Sequence, residues 1–192
     1  EIDFFHPFFF KRLWRPEINL RSHRKIAVID GIIGFTGGIN ITDDENEAVR
    51  KDAYIDLHFR IRGEIVRWLQ LAFVADWLYA GGRFAADALY FPTPAEKAGP
   101  IAAQVLAAGP DTPFEPIHRA QVFAINTACK RVLLVTPYFV PSESAMMALT
   151  SAALRGVDTA LVVPLMSDNL LVTLAARSYF DDLARAAVRL YE

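Results

Sequence analysis

From Ile26 to Phe35 the chain is a run of apolar residues broken only by Asp30 and Gly31. Two Ile/Val-rich segments separated by Asp-Gly predict a β-hairpin closed by a type I′ turn, since both central positions of that turn need positive φ. Side chains alternate along a strand. His23, Lys25, Ala27 and Ile29 are therefore expected on one face, with Arg24, Ile26, Val28 and Asp30 on the other.

Further along the period changes. Ile65, Leu69, Phe73 and Trp77 recur at helical spacing, which predicts a helix that buries this face, with its Trp and Phe in the core, and stops near Gly81. The Pro- and Gly-rich stretch 92–116 reads as a linker between a first unit, 1–91, and a second, 117–192. The second unit alternates: a helix over Pro116 to Lys130, the strand "RVLLVTPYF", a helix from about Ser142 to Arg155, the strand "TALVVPL", a helix from about Asp168 to Val188, and a strand opening at "RLYE". Ser142 and Asp168 stand at N-cap positions and Gly156 at a C-cap. Such alternation predicts an α/β architecture with a mixed or parallel sheet covered by helices.

Composition narrows the function classes. With 192 residues, 53% of them hydrophobic, and a net charge of −2, the chain is neither disordered nor built around a nucleic-acid-binding tail. The charge is unevenly spread: residues 1–25 hold six Lys/Arg against three Asp/Glu, and residues 43–56 hold six Asp/Glu against two Lys/Arg. The basic segment, with Lys11, Arg12, Arg15, Arg21 and Arg24, would attract an anionic phosphodiester toward His23, or form an ordinary solvated surface. The single Cys129 excludes an internal disulfide and reads as structural. His6, His23, His58 and His118 fall in no HExxH or CxxC spacing, so no metal or other cofactor is expected. The most apolar helix carries Arg67 and Asp76 and is too short and too charged to span a bilayer.

His23 and Lys25 carry the chemistry. An imidazole can attack phosphorus while an ammonium one step along the same strand face neutralises the phosphoryl oxygens. An isolated HxK is more often a solvated edge strand. Here it continues as HxKxxxxD (His23, Lys25, Asp30) and GGxN (Gly37, Gly38, Asn40), a set that resembles the signature of the phospholipase D superfamily. Across nearly the whole chain "RSHRKIAVIDG", "FTGGINI", "FVADW", "TPYFVP" and "AALRGVD" resemble bacterial cardiolipin synthases of that type. Ser22 stands where that family more often has Asn, and Tyr54 in "YIDLH" where it usually has Trp.

The resemblance implies a phospholipase D-like mixed sheet flanked by helices, one repeat plus part of a second. It implies a catalytic set of His23 as nucleophile, Lys25 and a mainly structural Asp30. Lys25 and Asn40 would bind the phosphate, and Asp56 would contact and orient the histidine. The implied reaction is phosphatidyl transfer between two phosphatidylglycerol molecules through a phosphohistidine, releasing glycerol. The implied setting is the surface of the bacterial cytoplasmic membrane, with the catalytic part outside the bilayer and no nucleic-acid partner.

A histidine that attacks phosphorus cannot also protonate the departing alkoxide, so a second acid is needed, which in this family comes from a second HxK motif. His6, His58 and His118 are followed by Pro7-Phe8, Phe59-Arg60 and Arg119-Ala120, so none of them supplies one. The 192 residues are thus expected to be an internal piece of a two-motif enzyme, inactive alone. Two alternatives are a phospholipase D-type phosphodiesterase or nuclease and a catalytically silent binding module. The helical stretch after residue 63 and "TPYFVP" weigh against the first, and the intact HxKxxxxD spacing against the second.

Overall fold

A computed structural model describes residues 2, 22–84, 89–93, 98–109, 112–167 and 169–192. The expectations resting on His6, Lys11, Arg12, Arg15, Arg21 and Asp168 lie outside the described residues. The chain divides into two compact units, residues 1–110 and 111–192.

Unit 1 is built on an antiparallel sheet in the order β1 (Ile26–Ile29), β2 (Ile33–Gly37), β3 (His58–Arg62). The predicted turn joins the first two. Asp30 and Gly31 have φ of 53° and 65°, and the Ile32 amide donates to the Ile29 carbonyl at 3.0 Å. Pairing starts at Ile29 and Ile33, which leaves Ile32 outside the ladder and exposed. A Cβ on Gly31 would lie 2.9 Å from the Tyr90 carbonyl oxygen, so the glycine is needed for close approach as well as for its φ.

Helix α1 (Ile65–Tyr79) covers one face of this sheet. Val28, Gly34 and Ile61 stand abreast on that face, and Leu69 drops into the notch over Gly34, where a Cβ would meet its Cδ1 at 2.8 Å. This docking corrects the predicted stripe. The helix buries Val66, Leu69, Gln70 and Val74, while Phe73 is 44% and Trp68 60% exposed. Seating Leu69 on Gly34 brings Val66 to the same notch and turns Phe73 outward, where it stacks on half-buried Trp77 at 6.2 Å. The Trp77 indole N–H donates to the Arg83 carbonyl at 2.9 Å, fastening the chain after Gly81, whose φ of 99° ends the helix.

Unit 2 holds a parallel sheet in the order β4 (Arg131–Val135), β5 (Asp158–Val162), β6 (Arg189–Tyr191). Its helices are α2 (Pro116–Thr127), α3 (Glu143–Leu154), α4 (Leu170–Arg177) and α5 (Phe180–Arg185). Leu149, Leu161, Leu183 and Phe139 form the core with Val163 and Val188. The Ser142 hydroxyl accepts from the Ala145 amide at 3.2 Å, and Gly156 takes a φ of 85°, as their cap positions predict.

Two expectations are corrected here. The helix predicted over 168–188 is two helices, and Asn169 caps the first by accepting from the Leu171 amide at 2.9 Å. At the break the Ser178 hydroxyl donates to the Ala175 carbonyl at 2.7 Å, and Tyr179 packs edge-on against Phe139. A side-chain hydroxyl competing for helix carbonyls favours such an end. The expected phospholipase D-like mixed sheet is instead two small sheets, of which the parallel one in unit 2 is among the forms its alternation predicts. Strand direction is mixed between the units, antiparallel in one and parallel in the other, and not within either sheet. Among the described residues no helix is long and apolar enough to cross a membrane.

Because Gly34 is the notch that seats Leu69, Gly34→Val overfills the contact and is expected to lower unfolding stability by about 1–3 kcal/mol, read as a fall in urea midpoint at unchanged m.

Candidate active site

Antiparallel pairing brings three segments to one end of the unit 1 sheet: the approach to β1, the exit from β2 and the entry to β3. Gly37 pairs with His58, and the Gly38 amide donates to the Leu57 carbonyl at 2.9 Å. One register step beyond the Ile26–Thr36 pair puts Lys25 level with Gly37 and His58. Arg24 is turned to the helix side, where its guanidinium meets Asp76 of α1 at 2.5 Å. Strand alternation then leaves Lys25 on the opposite, open face, with His23 exposed just ahead of it.

Asp30 is not part of this grouping. It occupies the hairpin turn at the far end of β1, roughly 16 Å along the strand from Lys25 at about 3.3 Å per residue.

The glycine pair makes room for β3. A Cβ on Gly37 would lie 2.6 Å from the His58 Cα and 2.8 Å from its Nδ1, and one on Gly38 would overlap the Asp56 carboxylate. That carboxylate accepts from the Leu57 amide at 2.6 Å. The fold thus brings Asp56 to the same sheet end as the approach to β1. Among the described residues no hydrogen bond joins Asp56 to the His23 ring.

Asn40 is held by Glu45, a residue that sequence reasoning missed. One Glu45 oxygen accepts from the Asn40 backbone amide at 2.6 Å and the other from its Nδ2 at 2.7 Å. Glu45 ends a single 3₁₀ turn, Asp43–Glu45, whose N-cap is Thr42, with the Thr42 hydroxyl accepting from the Asp44 amide at 3.1 Å. The spacing Thr42-x-x-Glu45 is that of a capping box, and this was the available signal. In a capping box the glutamate reaches back to the cap's own amide, whereas here it reaches two residues further, to Asn40.

The loop beyond is tied to itself. Arg50 binds Asp52 at 2.7 Å and also Asp44, and the Tyr54 amide donates to the Asp44 carbonyl at 2.9 Å. The paired carboxylates, Asp52 first, raise the Arg50 pKa. The Asn40 side-chain hydrogen bond holds the Glu45 carboxyl below its ordinary value of 4.5, the Asn40 backbone bond adds to this against a desolvation cost, and the charge of Lys25 contributes least.

Unit 2 contains an open cleft of about 730 Å³ lined by residues of α2, β4 and α3, including Val122, Leu133 and Tyr138. At it the His118 Nε2 lies 3.1 Å from the hydroxyls of both Ser142 and Ser144. Cys129 is exposed beyond the end of α2, with its thiol donating to the Thr127 carbonyl at 3.4 Å. Among the described residues no group of three or more His, Cys, Asp or Glu is placed to hold a metal ion.

The lowered Glu45 pKa fixes a sign. The Asn40 clamp holds while Glu45 is ionised and is lost as pH falls through a folded pKa below the ordinary 4.5. The Asn40 side-chain amide signals in ¹⁵N NMR are expected to titrate with a midpoint below 4.5, and Glu45→Gln should abolish that step.

Comparison with known proteins places the chain. Residues 122–192 match the family model described as cardiolipin synthase, PLD-like domain. A cardiolipin synthase of Alkalihalophilus pseudofirmus is 42% identical over 180 residues, 91% of this chain and 35% of its own length. One from Geobacillus thermodenitrificans is 42% identical over 181 residues, 92% of this chain and 36% of its own. Cardiolipin synthase 2 of Bacillus anthracis is 40% identical over 195 residues, 97% of this chain and 37% of its own. The chain therefore spans about a third of the length of these relatives. A domain-family match over its second unit and about 40% identity to cardiolipin synthases along nine-tenths of its length identify the chain as carrying a PLD-like domain of the cardiolipin synthase family.

Proposed function

We propose that the full-length protein to which this chain belongs transfers a phosphatidyl group between two phosphatidylglycerol molecules, with His23 as the nucleophile. The observation that carries this reading is the meeting of the approach to β1, the end of β2 and the start of β3 at one end of one sheet, with Lys25 on its open face.

In the first step the His23 ring nitrogen bonds to phosphorus and the bond to the glycerol oxygen breaks, with a second acid giving that oxygen its proton. In the second step the hydroxyl of another phosphatidylglycerol gives its proton to the conjugate base of that acid, bonds to phosphorus and releases the histidine, yielding cardiolipin. Lys25 and Asn40 offset the charge that builds on the non-bridging oxygens. Asp56 orients the ring and supports its developing positive charge once the two are brought into contact. The second acid belongs to another HxK motif of the complete protein, because His23 is already spent on phosphorus. The substrate is anionic and sits at a membrane surface, so the reaction takes place at the edge of the bilayer. No metal or nucleotide is called for at any step.

In the full-length protein His23→Ala is expected to keep the fold by circular dichroism, and to lose both cardiolipin formation and covalent capture of labelled lipid. Cardiolipin made at the wild-type rate would move the nucleophile elsewhere. Phosphatidic acid as the main product, with water as acceptor, would favour the phosphodiesterase reading. Gly38→Ala drives its methyl against the Asp56 carboxylate, the movable end of a side chain. It should therefore keep its thermal midpoint while turnover falls, following Asp56→Asn, for which a loss of about a hundredfold or more is expected. Unchanged turnover in both variants would remove Asp56 from the scheme.

A further inference from the structure

We propose that Glu45 is a positioning residue that sets the carboxamide of Asn40 with its N–H toward the phosphoryl oxygens. The inference rests on the reading of Asn40 as a phosphate-binding group.

A free asparagine side chain does not choose its own orientation. The terminal torsion is broad and roughly two-fold, so the N–H₂ and the carbonyl oxygen exchange places at little cost. Toward a phosphate the two ends are opposites: one donates to an anionic oxygen, and the other repels it. Glu45 distinguishes them, because a carboxylate is acceptor-only and can take the Nδ2 end alone. It does so at 2.7 Å, and its second oxygen holds the backbone amide of the same residue at 2.6 Å. Backbone and side chain of Asn40 are thus fixed by one group. One Nδ2 hydrogen is used in this way, and the other is left to donate.

Placing a carboxylate here has a cost. It stands near enough to Lys25 to be attracted by its charge, and that charge is the one an incoming phosphate needs. Repulsion of an anionic substrate is tolerable if it is offset by a donor already aimed at the transition state, where the phosphoryl charge is concentrated. The loop is built to hold the carboxylate in place. Thr42 caps the turn carrying Glu45, and Arg50 ties Asp44 and Asp52 across it.

The test uses the full-length protein, phosphatidylglycerol in detergent micelles, and the variants Glu45→Ala, Glu45→Gln, Asn40→Ala and the double variant Asn40→Ala/Glu45→Ala, with thermal midpoints measured for each. Glu45→Ala is expected to lower kcat about ten- to a hundredfold, less than the about hundred- to thousandfold of deleting an oriented donor, with KM nearly unchanged. Glu45→Gln keeps one acceptor and should fall between Glu45→Ala and wild type. It carries the same comparison if the alanine variant does not fold. In the Asn40→Ala background the loss of Glu45 should change kcat less than twofold, because its action runs through Asn40. A full additional loss in that background would overturn the proposal, as would a Glu45→Ala enzyme as fast as wild type while Asn40→Ala is impaired. A Glu45→Ala enzyme faster than wild type would show that the carboxylate blocks the site. Wild-type activity in Asn40→Ala itself would overturn the reading of Asn40, and the present inference with it.

Discussion

Everything in unit 1 follows from the antiparallel register of β2 with both its neighbours. Because β2 runs opposite to β1 and to β3, its exit end is level with the entry ends of both, so the approach to β1, Gly37–Gly38 and Leu57–His58 lie at one end of the sheet with no crossover. The same ladder orders the other face. Val28, Gly34 and Ile61 line up there, and the missing side chain at Gly34 decides where α1 sits and which of its residues are buried. A shift of one residue in β2 would turn every side chain to the wrong face, separating Lys25 from the site and filling the notch.

Local chemistry made much of this legible in the sequence. Asp30-Gly31, Ser142, Gly81 and Gly156 each carry a backbone preference that acts within a few residues, and each sits where that preference places it. Faces set by a distant partner were harder to read. The spacing of Ile65, Leu69, Phe73 and Trp77 is helical, but Val66, Leu69 and Val74 fit the helix equally well. Only Gly34, thirty-odd residues earlier, chooses between them. The break at Ser178 was also hidden, because "LLVTLAARSYFDDLAR" reads as continuous helix until Tyr179 is seen against Phe139.

In the candidate site, the alternation that puts Lys25 opposite Arg24 was readable, and the Arg24–Asp76 ion pair agrees with it. The family signature pointed to Asn40 but not to what holds it, because Glu45 acts through a loop geometry that no motif spacing states. The acidic excess of residues 43–56 was visible in the sequence, but not what it binds. Asp44 and Asp52 share Arg50, and Glu45 binds the amides of Asn40, so three of that segment's carboxylates hold the loop together. Gly37 and Gly38 likewise read as a motif, and their physical use is clearance for His58 and Asp56.

The two sheets also differ in how far apart along the chain their partners lie. In unit 1 each strand pairs with the next one in sequence: β1 and β2 close through a tight turn at small entropic cost, while β3 returns to β2 across residues 38–57. In unit 2 every pairing is parallel and must wait for at least one helix to be laid across between strands. Contact order therefore favours early formation of the β1–β2 hairpin, and synthesis from the N-terminus favours the first sheet over the second. The strand ends that carry Lys25, Asn40 and Asp56 would then be assembled on the ribosome before β4 has been made, with their geometry set by neighbours already in the nascent chain.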